Sequence, residues 1–322
     1  MVTLCVLFNH AFPRNIPLLR EIYKNRFKDI IFIQPVLRSQ DPDVWTAYRG
    51  SYNFHGFVSD NVARLKEKKS DYYIFVHDDV LLNPKLNENN IIDYLKIGRS
   101  ESFLPMYFPF GGALSSSSSA GWCWSPGIIW KSTFPMNFLS GSGLESLTET
   151  LRNISKTKTY LEQKYNIVFE DFRYDPGAPP PVSNAFANHF FDKEVTDTII
   201  TGMFGNNPET SMRTPVPFLG GYSDFFAIGG DIFADVAHYL GVLAAANIFA
   251  EVAIPTGLMH ASENIKQSSD IGMRSDWSFS DRSVSEEGLA EEFASGLLLV
   301  HSVKLSRQSE YIGKVIHLLN AV

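Results

Sequence analysis

Residues Tyr72–Pro84 read YYIFVHDDVLLNP. Tyr72 to Val76 is an apolar and aromatic run of strand length with no polar break. Such a run fits a strand covered on both faces, as in a parallel sheet. It stops at His77-Asp78-Asp79, and Asn83-Pro84 just beyond reads as a turn. Two adjacent carboxylates at the end of a buried strand repel each other and resist desolvation. Either the pair serves an ordinary turn or helix cap, or a bound cation removes the penalty. Hard divalent cations such as Mn2+ and Mg2+ prefer carboxylate, water and phosphate oxygens.

Upstream, Val2–Phe8 (VTLCVLF) is a second continuous apolar run, with Cys5 inside it as a buried thiol. From Pro13 to Lys28 apolar residues recur at helical spacing, at Ile16, Leu19, Ile22, Tyr23 and Phe27. Ile30–Val36 (IIFIQPV) is strand-like again, and Phe57–Lys68 reads as a second helix. Strand, helix, strand, helix, strand predicts right-handed parallel crossovers and an α/β fold. The acidic tip then falls at the carboxyl edge of the sheet, where open α/β sheets bind ligands.

Downstream the pattern loosens. Gly111–Ala120 carries five consecutive serines, a flexible-loop signal. Gly121–Gly127 (GWCWSPG) sets Trp122 and Trp124 around Cys123, either as a platform for a sugar ring or as packed aromatics. Leu144–Tyr165 reads as a charged helix, and Asp175–Ser183 (DPGAPPPVS) is too proline-rich for regular structure. Residues 140–215 therefore look like an irregular, helical and loop-rich insertion. Regularity returns with a strand at Tyr222–Ile228, a helix at Asp231–Asn247, an extended stretch at Phe249–Met259 broken by Pro255 and closed by His260, and a helical tail at Leu289–Asn320.

Composition narrows the function classes. The 322 residues are 44% hydrophobic and 20% charged, as in an ordinary globular protein, and 13% aromatic, with 25 Phe and 13 Tyr. Acidic residues outnumber basic ones, 35 to 28, for a formal charge of −7. The densest basic run is Lys66-Glu67-Lys68-Lys69, which reads as a solvated helix end, so a nucleic-acid partner is not expected. A small phosphate-bearing molecule remains compatible, because a metal ion can supply the neutralising charge. Two cysteines make no disulfide framework and fit a reducing compartment. Val2–Phe8 is too short to span a bilayer, and Val236–Ile254 is interrupted by His238, Asn247 and Glu251. A cytoplasmic chain without a transmembrane segment is expected, with peripheral membrane contact left open.

The stretch YYIFVHDDVLLNP, with the first strand and Asn9-His10 behind it, resembles the GT-A class of nucleotide-sugar glycosyltransferases. The resemblance covers residues 1–110 and, faintly, 220–262; the middle third matches nothing. It implies a GT-A-like, Rossmann-like nucleotide-binding core with a mostly parallel sheet. Residues 1–110 would be the half that binds the nucleotide-diphosphate sugar donor, residues 111–262 the acceptor half, and residues 263–322 a C-terminal helical segment, in one compact domain. It further implies transfer of a sugar to a carbohydrate or other hydroxyl acceptor, assisted by Mn2+ or Mg2+.

The class motif is Asp-x-Asp, whereas here the order is His77-Asp78-Asp79. The match assigns Asp79 to the metal, His77 to the position of the first aspartate, and Asp78 to the ribose or donor sugar. Phe8, Asn9 and His10 would meet the base and ribose; Arg14 either approaches a phosphate or is a surface charge. A later histidine would complete the metal shell, with His260 assigned and His301 a competitor. Glu251 and Asp224 are the candidate catalytic acids, since an inverting transferase needs a carboxylate to take the acceptor's proton. Each has an alternative reading, Glu251 as a salt bridge or helix cap and Asp224 as a strand-end carboxylate. A sugar nucleotidyltransferase would share such a core, but carries a glycine-rich loop after its first strand where this chain has FNHAFPRN. A non-catalytic nucleotide- or carbohydrate-binding protein of the same fold is the other alternative.

Overall fold

The computed structural model describes residues 1–50, 53–114, 149–174, 211–212, 216–276, 286–303 and 305. The serine run, the Trp122–Trp124 cluster, the proline-rich Asp175–Ser183 segment and the far end of the C-terminal tail lie outside the described residues. The chain separates into two compact units, residues 1–106, 222–237 and 262–322 in the first, and 107–221 and 238–261 in the second.

The first unit opens with strand β1 (Val2–Leu7), helix α1 (Asn15–Tyr23), β2 (Asp29–Pro35), β3 (Val44–Ala47), α2 (Gly56–Asp60), α3 (Val62–Glu67), β4 (Tyr72–His77), β5 (Val80–Leu82), α4 (Ile91–Leu95) and β6 (Ser102–Phe103). The second unit contributes β7 (Tyr107–Pro109), β8 (Ala113–Leu114), α5 (Lys158–Tyr165), β9 (Phe172–Tyr174), β10 (Ser211–Met212) and β11 (Leu219–Gly221). Then come β12 (Phe225–Gly229), α6 (Phe233–Ala245), α7 (Ala250–Ala261), β13 (Ile265–Lys266), α8 (Ser268–Ile271), β14 (Arg274–Asp276), α9 (Glu286–Ala294) and β15 (Leu297–His301).

In the first unit a mixed sheet of order β13-β6-β12-β4-β1-β2-β3 forms the centre. β1 pairs in parallel with β2 and β4, and β2 with β3, while β12 runs antiparallel between β4 and β6. The result is an α/β fold with a mostly parallel central sheet, as the strand–helix–strand pattern predicts. Every residue of β1 is buried, which explains the absence of alternation in its sequence. Helix α1 buries Ile16, Leu19, Ile22 and Tyr23, and Pro17 falls in its first turn, where a missing N–H costs no helical bond. Phe75 of β4 stacks on Phe226 of β12 (ring centroids 4.6 Å apart), and Tyr73 on Phe233 (4.0 Å). The first pair holds the antiparallel strand beside β4, and the second packs the start of α6 on it. Gly229 ends β12 where an added Cβ would lie 2.1 Å from the Arg99 carbonyl oxygen, so no larger residue fits this approach.

A small sheet, β14-β15-β5, lies in the same unit. β15 pairs antiparallel with β5, setting His301 opposite Val80. This corrects the expectation of a wholly helical tail. Leu297–Val300 is a short buried apolar run, and such a run does not by itself separate strand from helix. The expected helix at Phe57–Lys68 divides at Asn61 into α2 and α3. The expected helix through Leu144–Tyr165 is helical at 149–154 and again in α5, whose start is fixed by Thr157, its side chain accepting the Tyr160 N–H.

In the second unit, α7 replaces the extended stretch expected at Phe249–Met259. The run is apolar on all sides, so neither helical nor strand periodicity shows in it, and Pro255 is accommodated inside the helix. Thr256 of α7 accepts the Leu219 N–H through its hydroxyl (3.0 Å), fixing the helix to β11. Among the described residues no helix is long and apolar enough to cross a membrane.

His55 is wholly buried before α2, and neither ring nitrogen finds a hydrogen-bond partner among the described residues. Burial, reinforced by the charge of Arg49, pushes its pKa down to about 3. It is therefore neutral when folded at pH 5, while the unfolded chain takes up that proton below its ordinary pKa of about 6.5. Stability conferred by a neutral His55 is complete above that value and declines as the pH falls below it. Urea unfolding followed by circular dichroism should show about 2 kcal/mol of His55-dependent loss between pH 7 and pH 5. That increment should vanish in His55→Gln, and an unchanged pH slope in this variant would overturn the assignment.

Candidate functional site

Two antiparallel registers converge on the end of β4. Phe225 pairs with Val76, so Asp224 lies across from His77, and the His77 N–H donates to the Asp224 carbonyl (2.8 Å). His301 closes β15 opposite Val80, and the Val303 N–H donates to the Asp79 carbonyl (2.7 Å). The Asp78 N–H donates to the Leu7 carbonyl (3.0 Å), fixing the motif to the end of β1 as well. Backbone pairing thus gathers Asp78, Asp79, Asp224, His77 and His301 at the carboxyl edge of β1 and β4 without any long flexible connection.

The side chains are mutually engaged. His77 Nδ1 lies 2.6 Å from Asp224 Oδ1, with the imidazole 1% exposed. Phe54 packs edge-on against this ring at 4.0 Å between centroids. Burial pulls His77 toward its neutral form. The charge of Asp224 and its hydrogen bond, followed by the charges of Asp79 and Asp78, pull the other way and prevail, leaving the pKa above its ordinary value. With Nδ1 beside Asp224, Nε2 is the ring's other nitrogen, buried and without a hydrogen-bond partner among the described residues. His77, expected as a metal ligand, is held through Nδ1 by Asp224, and the surrounding carboxylates favour its charged form.

Asp79 and Asp224 face His301. Its Nε2 lies 3.6 Å from Asp79 Oδ1 and 3.7 Å from Asp224 Oδ2. Asp78 is 7% exposed, and its Oδ2 accepts from the Asn15 side-chain amide at 3.1 Å. Asn15 is itself buried as the first residue of α1. Asn9 places its amide nitrogen 3.3 Å from His77 Nδ1. Asn15, Phe54 and His301 complete this cluster. The sequence offers no local signal for Asn15 or Phe54, since their roles depend on how α1 and the 53–55 segment pack. His301 is signalled by its place at the end of an apolar run, the same pattern that marks His77.

Phe8 is fully buried in the apolar core, its ring 6.4 Å from that of Phe32, so it has no face for a base; its expected ligand role is corrected to packing. His10 is exposed and meets the edge of Phe12, and Arg14 is exposed just before α1. Glu251 is a buried residue of α7 in the second unit. His260, also of the second unit, accepts the Lys156 N–H through Nδ1 (3.1 Å) and stacks on Tyr239 at 5.4 Å. Burial lowers its pKa to about 4. In the first unit, His301 is the histidine beside Asp79.

Among the described residues, no group of three or more His, Cys, Asp or Glu side chains is arranged to enclose a metal ion. What the cluster presents is a set of hard oxygen donors with two imidazoles, His77 and His301.

No family model and no curated protein matches the sequence. Among solved structures, the mannosyltransferase Ktr4p from S. cerevisiae overlaps 84% of this chain and 68% of its own, at 9% identity and a TM-score of 0.36. A glycosyltransferase involved in the glycosylation of the major capsid of PBCV-1 overlaps 34% of this chain and 54% of its own, at 13% identity and a TM-score of 0.22. Likenesses this loose say nothing of what the present chain does, and the chemistry has to be read from the side chains at His77.

Removing the Asp224 charge leaves His77 buried beside a neutral amide. Asp224→Asn should lower unfolding stability by about 1–3 kcal/mol. In the His77→Gln background the same substitution should cost clearly less, and a double-mutant cycle by chemical denaturation measures the difference. Equal costs in both backgrounds would mean that the pair contributes nothing to the fold.

Proposed function

We propose that this chain transfers a sugar from a nucleotide-diphosphate donor to a hydroxyl acceptor, with Mn2+ or Mg2+ held by Asp79 and His301. The observation that supports this most is the gathering of Asp78, Asp79, Asp224 and His301 at the carboxyl edge of β1 and β4, where open α/β sheets take their ligands.

The donor set suits a shared rather than an enclosed cation. Separations of 3.6 and 3.7 Å from His301 Nε2 to the two carboxylates exceed a hydrogen bond. Neighbouring donors that each sit about 2.1 Å from one octahedral ion lie about 3.0 Å apart, so His301 and a carboxylate would draw together by about half an ångström to share it. Two protein donors completed by water and phosphate oxygens is the usual arrangement for such ions. When bound, the ion would supply positive charge to the diphosphate as it departs.

The protein's own residues divide the remaining work. Asp78, steadied by Asn15, is a hydrogen-bond acceptor suited to ribose hydroxyls. Asp224 has one oxygen held by His77, which leaves it oriented as a carboxylate able to receive the acceptor's proton. His77 acts on the reaction only through Asp224 and is a positioning residue. Burial of His77 and Asp78 strengthens the electrostatic contacts they make.

Isothermal titration with UDP and GDP, with and without Mn2+, tests the binding half of this reading. Affinity should rise with Mn2+, and Asp79→Asn and His301→Ala should each cut the metal-dependent gain by about tenfold or more. Asp224→Asn should keep nucleotide binding and lose transfer in a screen of nucleotide sugars against hydroxyl acceptors. Binding indifferent to Mn2+ and to both substitutions would remove the metal from the proposal, and failure to bind any nucleoside diphosphate would end it.

A further inference from the structure

We propose that a cavity at the other end of α1, lined by residues 24–28, 84–85 and 87–89, binds a small phosphomonoester. This inference is independent of the reaction proposed above. The cavity has a volume of about 640 Å3, within the range of small-molecule sites. Its lining carries Lys24, Arg26, Lys28 and Lys85 against one carboxylate, Glu88.

Arg26 supplies the unusual feature. It is 7% exposed, and its Nε and Nη2 donate to the carbonyls of Leu86 (2.7 Å) and Asn83 (2.6 Å). Nη1 is buried with no hydrogen-bond partner, and no carboxylate pairs with the guanidinium among the described residues. The rings of Tyr23 and Phe27 flank it at 5.3 and 5.9 Å, which eases its burial but does not neutralise it. Burial lowers the Arg26 pKa only to about 10, so it stays charged at neutral pH. A buried charge without a counter-ion is costly, and an anion in the cavity would offset part of that cost through space, Nη1 itself being closed to solvent.

The other charges reinforce the sign. Glu88 is already committed, accepting from the Lys28 backbone N–H (3.0 Å) and pairing with its ammonium (3.1 Å). Lys24 is paired with Glu21, whereas Lys85 is exposed with no ion-pair partner among the described residues. The surplus is therefore positive, formed by one fixed guanidinium and exposed lysines on long side chains. Asparagines 25, 87 and 89 on the same walls offer donors and acceptors to hydroxyl groups, which points to a phosphorylated polyol. Such a group comes either as a free sugar phosphate or as a phosphorylated inositol lipid headgroup.

The test uses the full chain. Glucose 6-phosphate is titrated calorimetrically against a glucose control, and sedimentation is measured with phosphatidylcholine vesicles with and without about one lipid in ten as phosphatidylinositol 4-phosphate. Lys28→Gln/Lys85→Gln changes exposed residues only and should fold normally; it should weaken phosphate-dependent binding about tenfold. Arg26→Gln should weaken it further, and the lysine variant carries the test if that protein does not fold. A response in the soluble assay alone assigns a free sugar phosphate, and one in the vesicle assay alone assigns a headgroup. Either supports the site. No binding in both assays at about 5 mM ligand, or binding unchanged in the lysine variant, would overturn it.

Discussion

The contact between His77 and Asp224 is the constraint from which the rest of the cluster follows. Three aspartates meet where β4 ends, and bringing them out of water together would be prohibitive without positive charge. His77 lies against them, buried on the strand itself and packed by Phe54, and their charges favour its protonated form. The contact also fixes a direction. One Asp224 oxygen is turned down toward the imidazole, so the other is turned toward His301 and Asp79. A motif with aspartate in place of His77 would carry a fourth negative charge at the same point and would need more cation to hold it. The His-Asp-Asp order is thus consistent with a site that provides part of its own neutralisation.

Much of the fold was legible because buried parallel strands leave a plain mark. Val2–Phe8, Ile30–Val36 and Tyr72–Val76 are apolar without alternation, and each falls on a central strand. The spacing of Ile16, Leu19, Ile22 and Tyr23 likewise marks the buried face of α1. Two of the cluster residues, Asp78 and Asp79, were legible for the same reason: charge at the abrupt end of such a strand is conspicuous. Asp224 was legible only as one of two candidates, since a carboxylate ahead of an apolar strand is common.

What the sequence concealed depends on pairing partners. His301 stands beside Asp79 because β15 is antiparallel to β5, and nothing local in Leu297–His301 reveals which strand it will meet. His260 has the same outward pattern, an apolar run closed by histidine, yet its run is the helix α7 and its ring is used for packing on Tyr239. Phe8 was misread for a related reason. A residue at the end of a strand belongs to the site or to the core according to which side of the pleat it occupies, and Phe8 points into the core.

Helix α1 connects the two charged features of the first unit. Asn15 at its start bonds to Asp78, and Lys24 just past its end lines the basic cavity, so the two lie about 14 Å apart along nine helical residues. A second connection runs through Asn83. Its carbonyl accepts from buried Arg26, while its side-chain amide donates to the carbonyls of Phe293 and Leu297, at the base of the strand that ends in His301. β5 joins Asp79 to Asn83 in only three residues. The wall of the cavity and the two residues assigned to the cation therefore share one short, fully buried strand pair rather than a mobile loop. Any shift of Arg26 toward an anion must be absorbed by Asn83, β5 and β15 together, because close-packed interiors leave little slack for one to move alone.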